Sequence, residues 1–209
     1  MDEKLRAKIA EEWVGDLPLE HKIVKLFERV RDIPFGRIGS RDPRDVYEKN
    51  MGTCSGKNLL LRELYDEIGI ETKDMLTLHR FNDLAWLPTE SYPLLRMPLE
   101  LKEILSRGQI CDFHNYARIH VDDNWITVDA SFDKPLKKYG FVVNEGWDGK
   151  TDMKLCVVGT YKIWDCGHRG LEEKERMTAL LPKKVQKDRN LFLGKLTEWI
   201  TELRSKGEI

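Results

Sequence analysis

The chain has 209 residues, 41% of them hydrophobic and 34% charged, a composition typical of a globular domain with its own core. Its formal net charge of −1 gives no general electrostatic reason to bind nucleic acid or a membrane, and no apolar run approaches the length of a membrane span. The chain begins with an amphipathic pattern rather than an apolar signal core, so we expect a cytoplasmic protein. None of its four cysteines has CxxC spacing, and we expect all of them to be reduced.

Apolar residues at helical spacing predict two helices in the first part of the chain, over residues 2–13 and 19–32. Residues 36–53 are interrupted by several glycines and a proline and are predicted to form a loop. The next helix is predicted to begin at Cys54 and to stop at Gly69, because glycine commonly ends helices.

The remainder of the chain predicts strands followed by helices. Residues 70–78 form a predicted strand, and the three prolines within residues 81–110 indicate an irregular excursion with a short helix near 99–105. Further short strands are predicted at 139–143, 154–158 and 161–164, with a turn at Trp147-Asp148-Gly149. Two helices, roughly 171–181 and 190–204, are predicted at the end. We therefore expect one α+β domain over residues 1–209, with a core at about 20–165 and a helical wrap at about 170–206.

Cys54 lies in a position suited to a nucleophile. Thr53 is predicted to cap the helix with its hydroxyl, which places the thiol at the positive end of the helix dipole, where a thiolate is favoured. Gly52 and Gly56 are expected to leave room for a substrate backbone. The alternative is a buried structural cysteine at the start of a helix.

A predicted hairpin downstream supplies a base and an acid. If Asp122-Asp123 forms a two-residue turn, Tyr116 is paired with Asp129, and His114 lies diagonally beside Asp129 on the same face. Asp129 would then hold the imidazole and leave its other nitrogen for the thiol. The opposite face carries only apolar residues and is expected to pack inward: Ala117, Ile119, Val121, Ile126, Val128 and Ala130.

Other histidines and cysteines offer competing interpretations. His120 lies on the same predicted face as His114 but nearer the turn, so we prefer His114 as the base. A zinc site built from Cys111, His114, Cys166 and His168 matches no standard ligand spacing, and we predict no metal site.

Supporting residues are harder to assign. A second oxyanion donor is expected besides the Cys54 backbone N–H, and Tyr47 and Asn50 are the nearby candidates. Tyr116, Trp86 and Trp147 are candidates for substrate binding, although packing is the commoner role of such side chains. A basic cluster is expected to be solvated rather than to bind nucleic acid: Lys183, Lys184, Lys187 and Arg189.

Three segments in order resemble the transglutaminase-like superfamily. Gly52-Thr53-Cys54-Ser55-Gly56 and the helix ending at Gly69-Ile70 resemble the family's cysteine helix. The stretch from His114 through Trp125 to Val128-Asp129 resembles its His–Asp hairpin, and residues 30–35 resemble its lead-in. The chain departs from the family at Arg118, where an acidic residue is common.

The resemblance implies a papain-like α+β fold, in which the catalytic helix packs on an antiparallel sheet with flanking helices at both ends. It implies a Cys54–His114–Asp129 triad that cleaves amides through a thioester, most simply as a peptidase or amidase. A transglutaminase-type crosslinker and a non-catalytic binding module on the same fold remain the alternatives. No calcium-binding motif is visible, so no cofactor is predicted. The expected partner is a peptide, protein or small amide, with no nucleic acid or membrane, and the sequence does not indicate an oligomeric state.

Overall fold

The computed structural model describes the backbone of residues 1–86 and 97–209, and the side chains of the same residues except 84–86. The helices described are α1 (Glu3–Val14), α2 (Leu19–Asp32), α3 (Pro43–Lys49), α4 (Cys54–Glu67), α5 (Leu99–Ser106), α6 (Gly170–Leu180) and α7 (Lys183–Ser205), with 3-10 helices at Phe81–Trp86 and Lys134–Tyr139. The strands described are β1 (Thr72–Arg80), β2 (Cys111–Val121), β3 (Asn124–Val128) and β4 (Lys162–Asp165).

The four strands form one antiparallel sheet in the order β3-β2-β1-β4. The β2–β3 register puts Val121 opposite Asn124, so the turn is Asp122-Asp123, and both residues have the left-handed backbone of a tight hairpin turn. The two-residue turn is confirmed. The ladder ends at Ala117 opposite Val128, so Asp129 lies one position beyond it rather than in a ladder pair.

Helix α4 packs against one face of this sheet. Its leucines Leu60, Leu61 and Leu64 are completely buried in one core cluster with the inward face of the β2–β3 hairpin. The predicted apolar face of the hairpin is confirmed, since all of its members but the half-buried Val121 are buried, and all but Ala117 belong to or pack against this cluster. The structure therefore confirms the α+β class, with a helix beginning at Cys54 packed on an antiparallel sheet and further helices on both sides.

A second apolar cluster joins the carboxy-terminal helix to α5 and to the chain after β3. Phe192, Leu196 and Trp199 of α7 contribute to it, together with Leu101 of α5 and Phe141. This cluster holds α7 beside the end of the sheet that carries His114, and it lines one side of the site described below.

Several element predictions are wrong. Residues 36–53 contain α3, which begins at Pro43 after Asp42 caps it by accepting a hydrogen bond from the Arg44 N–H at 2.8 Å. Helix α7 begins at Lys183, seven residues before the predicted start. Of the excursion predicted over 81–110, residues 87–96 lie outside the described residues.

The strands predicted at 139–143 and 154–158 are also absent from the described chain. Backbone groups there bond to side chains instead of to a ladder: Asn144 Nδ2 donates to Lys154 O at 2.9 Å, and the Cys156 N–H donates to Asp129 Oδ2 at 2.8 Å. The turn at Trp147-Asp148-Gly149 is present, since Asp148 Oδ1 accepts from the Lys150 and Thr151 N–H groups. Among the described residues, no helix is long and apolar enough to cross a membrane.

Candidate active site

Cys54 is the first residue of α4 and is half-buried. Thr53 occupies the N-cap position, but its side chain makes no capping bond, so that expectation is wrong; the Thr53 carbonyl accepts instead from the Lys57 N–H at 2.9 Å. The Ser55 hydroxyl lies 4.0 Å from Sγ, and the Lys174 ammonium group lies 3.9 Å from it.

The glycines that flank Cys54 serve packing rather than substrate access. A Cβ at Gly56 would lie 2.7 Å from a methyl carbon of Val46, and one at Gly52 would lie 2.9 Å from its other methyl carbon. Val46 belongs to α3, the helix that the sequence did not predict. The space that we expected a substrate backbone to use is therefore filled by α3 on both sides of Thr53-Cys54.

His114 and Asp129 form a buried pair at the end of the hairpin. His114 Nε2 lies 2.7 Å from Asp129 Oδ2, and both side chains are almost fully enclosed. In this bond the Nε2–H group of His114 donates to the carboxylate, so the other ring nitrogen, Nδ1, is left to face the thiol. The structure thus brings Cys54, His114 and Asp129 together, although the first and the last are 75 positions apart in the sequence.

Asp129 is held by a complete set of donors. Oδ1 accepts from Ser131 N at 3.1 Å, Ser131 Oγ at 2.6 Å and Asn58 Nδ2 at 3.2 Å. Oδ2 accepts from the Cys156 N–H as well as from His114. Because every bond is made to the carboxylate, the carboxylate is fixed in place and its charged form is favoured.

Two asparagines tie the cysteine helix to the hairpin. Asn58, one turn after Cys54, donates to the Asn115 carbonyl at 3.0 Å and accepts from the Ala130 N–H at 2.9 Å. The Asn115 side chain accepts from the Ser55 hydroxyl at 2.6 Å and donates to the Gly170 carbonyl at 3.1 Å. These buried bonds fix the distance between the helix tip and the histidine.

The charges favour an ionised thiol. Burial alone would raise the pKa of Cys54, but the Lys174 charge and the His114 imidazole lower it to about 6. Burial would lower the pKa of His114, whereas Asp129 and the thiolate raise it to about 10. For Asp129, the His114 charge and the hydrogen bonds outweigh burial and lower the pKa to about 2. At neutral pH the site therefore holds a thiolate, an imidazolium and a carboxylate.

A second buried charged group lies beside this triad. Arg189 Nη2 lies 2.6 Å from Asp112 Oδ1, and both residues are buried. Asp112 keeps its pKa well below the usual range, because Lys174, Arg189 and His79 outweigh its burial. The expectation that Arg189 belongs to a solvated basic cluster is therefore wrong: it turns inward from α7 toward β2.

Cys54 lies between two cavities of different character. An apolar one of about 70 Å³ is also lined by His114 and by aromatic side chains that include Phe81, Phe132 and Phe141. The other, of about 590 Å³, is more polar and open, and Lys174 and Asp112 contribute to its wall. A substrate carbonyl at Sγ would have an apolar space on one side and a polar cleft on the other.

The remaining predicted site residues are placed elsewhere. The Tyr47 hydroxyl donates to Glu12 of α1 at 3.2 Å, and Asn50 is exposed at the end of α3. Trp147 packs its ring edge-on against Phe27. Tyr116 stacks near His114, with ring centroids 6.4 Å apart, and lines neither cavity that contains Cys54. The Trp86 side chain lies outside the described residues.

The alternative base and the alternative zinc set are not assembled. His120 lies against Trp125 at the turn end of the hairpin. Cys111 pairs with Arg80 at one end of β1, whereas His168 Nε2 lies 3.0 Å from the Thr72 carbonyl at the other end. The eight-residue separation along a strand puts these two groups roughly 26 Å apart, too far to share a metal ion.

Sequence reasoning missed Lys174, Asn115 and the Asp112–Arg189 pair. Lys174 lies within Glu172-Glu173-Lys174-Glu175-Arg176, which has the composition of a solvated helix face, and nothing in that pattern marks one buried lysine. Asn115 adjoins His114, and an amide beside the predicted base was the one signal available.

No family model and no curated protein matches this chain. Among solved structures, the crystal structure of a "putative cysteine protease from Cytophaga hutchinsonii" is similar to it, with a TM-score of 0.42 and 17% sequence identity over 78% of this chain. The present chain spans only half the length of that protein, since the match covers 50% of it. A likeness of this extent carries no argument about mechanism, so the chemistry rests on the geometry of the site.

Proposed function

We propose that this protein is a cysteine-dependent acyl-transfer enzyme that cleaves amide bonds, with Cys54 as nucleophile, His114 as acid and base, and Asp129 as the residue that orients the imidazole. One observation carries the proposal: a buried imidazole is shared between a carboxylate at 2.7 Å and a helix-tip thiol whose pKa is lowered to about 6. A structural cysteine needs neither partner.

The reaction follows from this charge arrangement. The Cys54 thiolate attacks the amide carbonyl, a bond forms between Sγ and carbon, and the carbonyl electron pair moves to oxygen. The Cys54 N–H belongs to the first residue of α4, where backbone N–H groups have no acceptor within the helix, and it donates to that oxyanion. His114 gives its proton to the departing amine, which leaves a thioester. Water then loses a proton to His114 and attacks the thioester, which releases the acid and restores the thiolate.

The two cavities favour a particular orientation of substrate. The small apolar cavity would receive an apolar group of the acyl part, because its wall supplies few polar partners. The open polar cleft would receive the leaving amine side and admit water or a second amine. A peptidase or amidase is the simplest activity of such a site, and transfer to an amine uses the same thioester.

The order of the three segments and the assembled site support placing the chain in the transglutaminase-like superfamily, which we propose as its family. The chain departs from the family's pattern at Arg118, whose guanidinium donates to the Trp125 carbonyl at 2.6 Å within the hairpin.

The test is turnover of amide and ester libraries with varied acyl groups, with and without a free primary amine, followed by mass spectrometry of the protein. We expect hydrolysis, a covalent acyl adduct on Cys54, and loss of both in Cys54→Ala. Cys111→Ala is the matched control, since Cys111 is a second partly exposed free thiol outside the triad. Formation of an acyl–amine product would assign transfer. Equal turnover by the Cys54→Ala and unsubstituted proteins would overturn the proposal.

A further inference from the structure

Lys174 is a buried ammonium group at the reacting thiol, although it comes from α6, outside the cysteine helix and the hairpin. The residue is only 3% exposed, and its Nζ lies 3.9 Å from Cys54 Sγ. It also contributes to the wall of the polar cleft on which Cys54 opens. Its charged end therefore lies where a substrate carbonyl would meet the thiol.

A chain of hydrogen bonds orients this ammonium group. Nζ donates to Ser55 Oγ at 3.0 Å, Ser55 donates to Asn115 Oδ1 at 2.6 Å, and the Asn115 amide donates to the Gly170 carbonyl at the start of α6. The chain starts and ends on the same helix, so α6 is locked to the tip of α4. The ammonium group is thus placed in advance rather than recruited by a ligand.

The Lys174 ammonium group makes no direct ion pair with a carboxylate of the described residues. Over the described parts of the chain, no carboxylate oxygen lies within 4.0 Å of Nζ. Asp112, which also lines the cleft and whose pKa the Lys174 charge helps to lower, is ion-paired directly with Arg189 instead. A buried cation without an ion pair is costly unless a negative charge forms beside it. The thiolate supplies that charge before attack, and the substrate oxygen takes it over during attack.

We propose that Lys174 is the second oxyanion donor of the site, acting with the Cys54 backbone N–H on the acyl oxygen; this inference rests on the proposed acyl-transfer function. In the tetrahedral intermediate, the oxyanion is separated from Sγ by two covalent bonds. An ammonium group 3.9 Å from Sγ is then within reach of the roughly 2.7–3.1 Å that oxyanion donors show. No proton leaves Lys174: it donates a hydrogen bond while charge forms, and His114 protonates the amine.

The test compares two reactions of the same thiolate, only one of which forms an oxyanion. Hydrolysis of p-nitrophenyl acetate passes through a tetrahedral oxyanion, whereas alkylation by iodoacetamide displaces iodide and forms none. Both rates are compared for K174M and the unsubstituted protein on the alkaline plateau of each protein's own pH profile of alkylation, where Cys54 is fully ionised, because Lys174 itself lowers the pKa of Cys54. We expect kcat for the ester to fall about 100-fold or more, with alkylation of Cys54 changed less than about threefold.

The control variants separate this role from general effects. R176M removes a positive charge from the exposed face of the same helix and is expected to leave both rates unchanged. K174Q keeps a neutral N–H donor, so its kcat is expected to fall less than that of K174M. If circular dichroism shows that K174M is unfolded, K174Q becomes the variant that tests the inference. Equal losses in hydrolysis and alkylation, or no loss in either, would overturn the inference while Cys54-dependent turnover still stands. Turnover that survives in Cys54→Ala would instead overturn the proposed function, and the inference with it.

Discussion

Replacing Asp129 with asparagine probes the bond that holds the imidazole in place. The carboxylate accepts from His114 Nε2, the Cys156 N–H, Ser131 N and Oγ, and Asn58 Nδ2. Asparagine has one acceptor oxygen and one NH2 group, so its NH2 must face buried donors on one side or the other. At least two of those donors lose their acceptor.

Each buried donor left without a partner costs about 1–3 kcal/mol, so two such donors lead us to expect that Asp129→Asn lowers the free energy of unfolding by about 2–6 kcal/mol. The His114 pKa should fall with the loss of the carboxylate charge, so the thiolate at Cys54 loses its imidazolium partner and alkylation near pH 6 slows. Urea denaturation followed by circular dichroism measures the first effect, and iodoacetamide labelling measures the second.

Asp148→Asn is the matched control for this variant. The exposed Asp148 also accepts several bonds, from Lys150 N, Thr151 N and Thr151 Oγ1, but all of them go to one oxygen. Asparagine retains that oxygen, so we expect a change under about 0.5 kcal/mol. If Asp129→Asn were as stable and as reactive as the unsubstituted protein, the account of the buried carboxylate would be refuted.

Two further predictions concern packing and charge near the site. Gly56→Ala should destabilise the protein by about 1–3 kcal/mol, because the new Cβ would meet Val46. Gly194→Ala, where a helical Cβ has open space, should instead stabilise the protein by up to about 1 kcal/mol. Thermal unfolding measures both changes, and an unchanged stability of Gly56→Ala would contradict the packing role of Gly56. Arg189→Met should lower the free energy of unfolding, measured by urea denaturation, by about 3–5 kcal/mol, because it removes the direct partner of the buried Asp112 charge. Lys187→Met, on the exposed face of α7, should leave the free energy of unfolding unchanged. Equal effects of the two substitutions would contradict the role of the buried pair.

The elements that the sequence predicts best are those whose apolar spacing is set by a single packing face. The hairpin is the clearest case, because the alternation from Ala117 to Ala130 and the Asp122-Asp123 turn together fix its register. Helix α3 was not predicted because it is short and begins at a proline, a residue that is also typical of loops. The irregular structure after Asp129 was not predicted because backbone groups there are bonded by distant side chains such as Asn144.

The residues of the candidate site likewise fall into those that local sequence patterns predict and those that they do not. The proximity of Cys54, His114 and Asp129 could be predicted because helix start and hairpin register are local patterns with a chemical meaning, and their catalytic role stays a proposal. Lys174 and Arg189 were not found, because each is a cation in a helix with many charges, and only the packing of α6 and α7 decides which of those charges turn inward. Which side of a charged helix is buried depends on tertiary packing, and the composition of the helix does not predict it.

The central claim, that Cys54 is an ionised nucleophile paired with His114, is tested most directly by the pH dependence of its alkylation. The rate constant for iodoacetamide at Cys54, with the site identified by mass spectrometry, reports the thiolate fraction. Because the folded pKa is lowered to about 6, the rate should rise through pH 6 and level off near neutrality, and His114→Ala should move the midpoint upward. A midpoint near the ordinary thiol value in the unsubstituted protein, unmoved by His114→Ala, would contradict the account.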